Sequence, residues 1–370
     1  MKTYVVGGAI RDELLGLPVK DLDYLVVGAT PEVMIAKGFR PVGQDFPVFL
    51  HPDTNAEYAL ARTERKTAPG YKGFVFHADQ HVTLEEDLAR RDLTINAMAR
   101  EVDPSGVVVG PVIDPFGGQK DLEDKLFRHV GGAFVEDPVR LLRIARFAAR
   151  FPSFSVAPNT LALLKQIGQS GELDALVKER VWQEFSRGLL SERPSRMLDV
   201  LDAVGVFEKF FPSELLLKNN RKFFDFIDQS ASSNFNLQQR CAILFSAIDS
   251  GTINAWCSMW GIPSECRDYA LLGHELHQSI ELGLDNAEGI LQVLDRVDVW
   301  RKPERFKELI EVAELIGDPV DLLVESHFAA KKVNVSDIAS SVAQQGSGSG
   351  ELIKRAIDEA RQSAIKELLV

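Results

Sequence analysis

At 370 residues the chain is too long for one compact core and suits two to four modules. No apolar run is long enough to span a bilayer, so a membrane partner is not expected, and Met-Lys-Thr leads straight into a strand with no secretory leader. The net charge of −12 argues against a nucleic-acid binder unless basic residues gather locally, so the arginines must be placed before charge decides anything.

The stretch KTYVVGGAIRDELLGLPVKDLDYLVVG reads as strand, glycine turn, short helix, turn, strand, with Asp21 and Asp23 on the second strand. Residues two apart on a strand share a face, so the two acids project side by side, and carboxylates held that way repel. A cation relieves the repulsion, and oxygen ligands suit Mg²⁺. Two solvated acids on an edge strand would give the same D-x-D. Upstream, Gly7 and Gly8 end a strand and open a helix over Ala9 to Leu15, where free backbone N–H groups favour phosphate. Arg11 in the first turn adds a bidentate donor. A phosphate cradle beside metal-binding acids implies phosphoryl or nucleotidyl transfer.

GGAIRDELLG followed by KDLDYLVVG resembles the G-G-x-x-R-D…D-x-D signature of the polymerase β-like nucleotidyltransferases. Within them the chain is similar to the class II CCA-adding enzymes (tRNA nucleotidyltransferases) and their bacterial poly(A) polymerase relatives. The resemblance implies an α+β fold: a mixed-sheet head with helices, followed by an all-α neck, body and tail. It implies Mg²⁺ on Asp21 and Asp23, CTP and ATP as substrates and tRNA as partner. Oligomeric state stays open.

Further along, TPEVMIAKGF reads as a helix capped by Thr30 and stopped at Gly38. Residues 40–64 alternate as two strands joined by a turn at Asp53 to Asn55, and Glu57 is either a third acid at the metal or an exposed strand residue. GQDFPVFL resembles the CCA-adding branch more than the poly(A) branch. RTERKTAPGYKGF reads as a mobile basic loop, over the nucleotide or simply solvated; in the family its presence accompanies full CCA addition.

LEEDLARRDLTINAMA resembles the family's R-R-D-x-T-x-N-A, in which Arg91 suits the triphosphate, Asp92 a ribose hydroxyl and Asn96 a backbone group or sugar. DPFGGQKDL reads as the exit from the head. EDPVRLLRIARFAARF is expected as a helix with Arg140, Arg143, Arg146 and Arg150 on one side. Such a stripe is a salt-bridged face or an anion site. Only Glu136 and Asp137 balance it locally, which favours an anion.

Asp137 and Arg140, three apart, present acceptor then donor. Cytosine (N4–H₂, N3) and adenine (N6–H₂, N1) complement that pair, whereas guanine and uracil meet like with like. Rejection through unpaired groups reaches about 10⁴-fold. In the family E-D-x-x-R-x-x-R is the amino-acid template, and Arg143 is expected at base or phosphate.

ERVWQE resembles the family's last neck motif, with Glu179, Arg180 and Glu184 bracing the template helix. Amphipathic helices follow, in which KNNRK (218–222) reads as a solvated turn in preference to a contact with tRNA phosphate, and GSGSG (346–350) as a link to a final helix. Many family members carry a phosphohydrolase module with an adjacent His-Asp pair; this sequence has none, no acid-histidine set is expected around His274 and His277, and no such activity is expected. Cys241, Cys257 and Cys266, without zinc-ligand spacing, read as reduced thiols of a cytoplasmic protein.

The expected division is a catalytic head at 1–128, a neck with the base template at 129–192, a body at 193–270 and a tRNA-binding tail at 271–370. The expected function is template-independent addition of C, C and A to the 3′ end of tRNA with release of pyrophosphate. Poly(A) polymerase, a partial A-adding enzyme and a non-catalytic RNA-binding relative are the rivals.

Overall fold

The computed structural model describes residues 1–42, 48–66, 74–77, 79–216, 221–344 and 350–369. The chain divides into two compact units, Met1–Gly188 with Arg196–Val206, and Leu189–Ser195 with Phe207–Val370.

The first unit is built on β1 (Lys2–Val6), α1 (Gly8–Leu14), β2 (Asp23–Val27), α2 (Pro31–Ala36), β3 (Arg40–Val42), β4 (Val48–Leu50) and β5 (Glu57–Leu60). Then come β6 (Thr63–Lys66), β7 (Phe74–His77), α3 (Leu84–Ala89), β8 (Ala99–Val102), β9 (Val108–Ile113), α4 (Gly118–Glu123) and β10 (Leu126–Phe127). It closes with α5 (Val139–Arg150), β11 (Ser155–Val156), α6 (Pro158–Gln169), α7 (Lys178–Leu189) and α8 (Ser195–Val204).

Seven strands form one mixed sheet in the order β3-β4-β5-β2-β1-β8-β9, where only the β2–β5 pairing is parallel. Alternation along β2 sends Leu25 into a core with Tyr4, Val6, Leu88 and Ala99, and Val26 into a second core with Met34, Phe39, Phe49 and Leu60. The helix after the acids is as expected: Thr30 Oγ1 accepts from Val33 N at 3.5 Å and Pro31 is its first residue.

Several expectations change. Asp21 is not on the strand. β2 begins at Asp23 because its partner Val6 is the last residue of β1, after which Gly7 leads the chain into α1. Residues 40–60 give three strands, not two, and 43–47 of GQDFP lie outside the described residues. Where a loop was expected, β6 and β7 pair as an antiparallel hairpin from Thr63↔His77 to Lys66↔Phe74, while residues 67–73 lie outside the described ones.

An alternation of Asp92, Thr94 and Asn96 toward the sugar, which an extended R-R-D segment would give, is not what forms. Thr94–Asn96 is a 3₁₀ turn, pinned by Thr94 Oγ1 donating to Asp121 Oδ2 at 2.7 Å, so Thr94 turns away from Asp92 and Asn96. Asp137 stands outside the template helix, with extended backbone (φ −113°, ψ 101°). Pro138 follows it, and the residue before a proline is driven out of the helical region.

The second unit is helical: α9 (Phe207–Phe210), α10 (Lys222–Ser232), α11 (Leu237–Phe245), α12 (Ser250–Trp260), α13 (Ser264–Glu281), α14 (Ala287–Arg296), α15 (Pro303–Ile316), α16 (Asp321–Lys331), α17 (Val335–Gln344) and α18 (Gly350–Lys366). α18 packs on α14, α16 and α17 of its own chain. All three cysteines are buried free thiols. Residues 218–220 of KNNRK and 346–349 of GSGSG lie outside the described ones. His277 has two acids beside it, which among the described residues do not make up a group able to hold a metal. Its Nδ1 lies 2.9 Å from Asp318 and its Nε2 3.6 Å from Glu281, while His274 Nδ1 meets the Ser246 carbonyl. Asp318 is 41 residues away in sequence, which hid the pairing. Among the described residues no helix is long and apolar enough to cross a membrane.

Candidate active site

A cavity of about 920 Å³ opens in the first unit beside the start of α1, and every site residue expected from the sequence lines it. Gly8, Arg11, Asp21, Asp23, Arg91, Asp92, Asn96, Asp137, Arg140 and Arg143 converge there from four separate stretches of chain. Glu57 starts β5, is exposed, and is not among the lining residues. Eleven basic residues line the cavity against five acids, in a chain of net charge −12. That local excess is what a polyanion requires.

The glycine turn brings the pieces together. Gly7 sits at φ +72°, and a Cβ there would lie 2.7 Å from Arg91 Nη1, so only glycine lets that guanidinium pass over the turn. Arg11 is buried and fully directed. It donates to Asp12 Oδ1 at 2.9 Å and to Asn96 Oδ1 at 2.5 Å, and lies 5.3 and 5.2 Å from the ring centres of Phe147 and Phe151 on α5. Burial lowers its pKa and Asp12 opposes the shift, so the group stays charged.

Asp92 is the junction between the R-R-D segment and α5. Its carboxylate accepts from Leu93 N (2.8 Å), Asn96 Nδ2 (3.0 Å) and Arg143 Nε (2.7 Å). Burial works to raise its pKa, but Arg143 and these hydrogen bonds outweigh burial and hold it well below the usual carboxylate range. The same pairing raises Arg143.

The arginine stripe reads differently in three dimensions. Arg143 meets Asp92, Arg146 Nε meets Glu184 at 2.5 Å, and Arg150 meets Asp12 at 2.8 Å. Its counter-charges therefore come from distant sequence, and local imbalance along α5 was no measure of anion binding. The case for an anion rests on the cavity as a whole: adding buried Asp87 and Glu184 to the five lining acids still leaves the arginines in excess. Asp12 and Asp87 are the residues the sequence reading missed as parts of the site. Asp87 alone left a local signal, at three and four residues before Arg90 and Arg91. Of the expected braces, Arg180 and Glu184 reach the α5 region, whereas Glu179 is exposed.

The base-reading pair is arranged as two anchored groups rather than two neighbours on one helix face. Arg180 of α7 donates to both carboxylate oxygens of Asp137, at 2.9 and 3.3 Å. The Arg140 guanidinium donates to the carbonyls of Ala133 (3.0 Å) and Arg90 (2.6 Å). Oδ1 also accepts from Val139 N at 3.2 Å, which leaves Oδ2 with the further lone pair, so the acceptor is fixed in orientation without being exhausted.

Asp21 and Asp23 offer hard oxygen donors at the cavity wall. Asp23 keeps contact with solvent, yet crowding by protein raises its pKa; Arg91 opposes that shift and Asp21 adds to it. Among the described residues no cluster of three or more potential ligands stands ready for a metal. Two carboxylates whose remaining ligands come from water and substrate phosphate suit a hard divalent cation.

A mixed sheet with Asp23 opening one strand and Asp21 just before it, at the edge of an arginine-lined cavity, defines the head of a polymerase β-like nucleotidyltransferase. The Poly A polymerase head domain family matches residues 3–128, and the family described as probable RNA and SrmB-binding site of polymerase A matches residues 153–214. A Multifunctional CCA protein of Paraburkholderia phymatum is 46% identical over 413 aligned positions, covering 100% of this chain and 98% of its own. One of Burkholderia mallei is 48% identical, covering 99% and 98%. The chain belongs to the family of the Multifunctional CCA proteins. The alignments are longer than this chain, so those relatives carry residues that it lacks. Among solved structures, a tRNA-processing enzyme with CTP superposes at a TM-score of 0.66, with 26% identity and 98% and 96% of the two chains covered. A CCA-adding enzyme in an apo form gives 0.68 at 22% identity over 100% and 91%, a likeness of fold alone.

Proposed function

We propose that the protein adds C, C and A, without a nucleic-acid template, to the 3′ end of tRNA from CTP and ATP, releasing pyrophosphate. The observation that carries this reading is the convergence of two acids and an excess of arginines on one cavity, in a chain alike over its whole length to Multifunctional CCA proteins. The solved relative that binds CTP supports it.

Asp21 and Asp23 are the ligands for Mg²⁺, which when bound activates the tRNA 3′-hydroxyl and neutralises the triphosphate. Gly8, Arg11 and Arg91 hold the phosphates. Asp92 and Asn96 face the sugar and also hold Arg143 and Arg11 in place. Asp137 accepts from the exocyclic amine of cytosine or adenine and Arg140 donates to the adjacent ring nitrogen, so uracil and guanine leave like groups facing each other. Arg143 supports base or phosphate. On this reading 1–128 is the catalytic head, 129–192 the neck with the template, 193–270 the body and 271–370 the tail on the tRNA. The site of action is the cytoplasm, where charged nucleotides and tRNA are found together.

The test is incubation of the protein with tRNA lacking its 3′ end and each labelled nucleoside triphosphate in turn. Incorporation of C twice and then A is expected. A alone on every end, or on a C-C end only, would mean poly(A) polymerase or a partial enzyme. Binding of tRNA without turnover in Mg²⁺ would mean a non-catalytic relative.

A further inference from the structure

We infer that Asp87 is a positioning residue for nucleotide binding: its buried carboxylate aims Arg91, the guanidinium that grips the triphosphate. The inference rests on reading Arg91 as a polyphosphate ligand and adds the group that sets its direction.

Asp87 is fully buried on α3, a helix closed at its start by a reciprocal Thr83–Glu86 capping box. The helix therefore does not need Asp87 for its own beginning. The carboxylate faces three cavity-lining residues. Oδ1 accepts from Arg90 Nε and Nη2 at 2.9 and 2.7 Å and from the Arg62 backbone N–H at 3.2 Å, while Oδ2 accepts from Arg91 Nη2 at 3.3 Å. A buried charge in that position is retained only where the guanidinium groups around it compensate its desolvation. Burial raises its pKa, yet Arg90 and Arg91 outweigh burial and keep it ionised.

Arg91 is aimed by little else. Nη1 makes a long contact with the Asn96 carbonyl at 3.4 Å, and Nε is buried without a hydrogen-bond partner. The same short segment also carries the base reader: the Arg90 carbonyl accepts from Arg140 Nη2. One carboxylate thus fixes the arginine for phosphate directly, while the base reader is held by a backbone carbonyl that the Asp87 side chain does not supply. A flexible guanidinium that must be ordered on binding loses affinity to that ordering, and Asp87 removes the loss beforehand.

The experiment is steady-state kinetics of Asp87→Asn, Arg91→Ala and the double variant, with pyrophosphate as a competitive probe and thermal melts to show folding. Asp87→Asn is expected to raise KM for both CTP and ATP about tenfold, and the pyrophosphate inhibition constant with them. The KM for tRNA and the preference for C over U should hold. On an Arg91→Ala background, Asp87→Asn should add less than about twofold. If Asp87→Asn does not fold, Asp87→Glu, which keeps the charge and shifts it by one methylene, reads the same KM. A folded Asp87 variant with parental KM for nucleotide, or one that lowers kcat alone, overturns the inference. An Arg91→Ala enzyme with unchanged KM overturns the reading of Arg91 itself, and the inference with it.

Discussion

Asp92 shows how a single side chain carries both stability and site geometry. The residue is 6% exposed, and its carboxylate ties three donors and is held well below the usual carboxylate range. A carboxyl lower in the folded than in the unfolded chain contributes stability that is complete above the unfolded value near 4. That contribution is lost as pH falls from there toward the folded value. Asp92→Asn should therefore melt lower than the parent at pH 7, by the equivalent of about 2–3 kcal/mol, with the gap narrowing below about pH 4. The figure sits below that of a dry ion pair because the Arg143 side chain is 35% exposed. Melting both proteins from pH 7 down to pH 3 checks this; a constant difference across that range would refute it. At this scale the sequence showed which groups have chemistry and concealed whom they meet. Arg143 and Asp92 are 51 residues apart and Arg150 and Asp12 are 138 apart, distances that no local pattern spans.

Among elements, α5 is the clearest case of partial legibility. Its apolar positions, Leu141, Leu142, Ile144, Ala145 and Ala148, are buried as their spacing predicts. Its first turn was misplaced because the expectation followed apolar periodicity through Asp137 and underweighted Pro138. The other side of α5 is set by α7. Arg146 and Glu184 form a pair with side chains only 10% and 7% exposed, and Glu184 also lies 3.9 Å from Arg143. Removing one partner leaves a buried charge uncompensated. Glu184→Ala should thus destabilise by about 3 kcal/mol, read as a fall in the midpoint of chemical unfolding. Arg146→Met added to it should recover part of the loss, because the pair is then replaced by packing. A double variant no more stable than Glu184→Ala would show that α5 and α7 are held by their apolar contacts alone.

For the whole molecule, net charge misleads because ten arginines line one cavity while most of the acids lie elsewhere. The order of the chain misleads in a similar way, since the two compact units are not two consecutive segments. Residues 189–195 belong to the second unit, where Arg240 donates to the carbonyls of Leu189 and Ser191 and Asp228 binds Arg193 and Ser195. The chain then returns to the first unit for Arg196–Val206. α8 is integral there: Met197, Leu198 and Leu201 are fully buried, and a Cβ on Gly188 would lie 2.3 Å from Met197 Sδ. A fragment ending at Gly188 gives up those side chains and exposes the surface they cover, at about 1.5–3 kcal/mol for each large apolar group. A fragment ending at Val206 retains them. Residues 1–206 should accordingly melt cooperatively, while 1–188 should melt at least about 10 °C lower or bind a hydrophobic dye as a loosened state. Equal melting of the two fragments would mean that α8 is an appendage of the first unit and not part of its core.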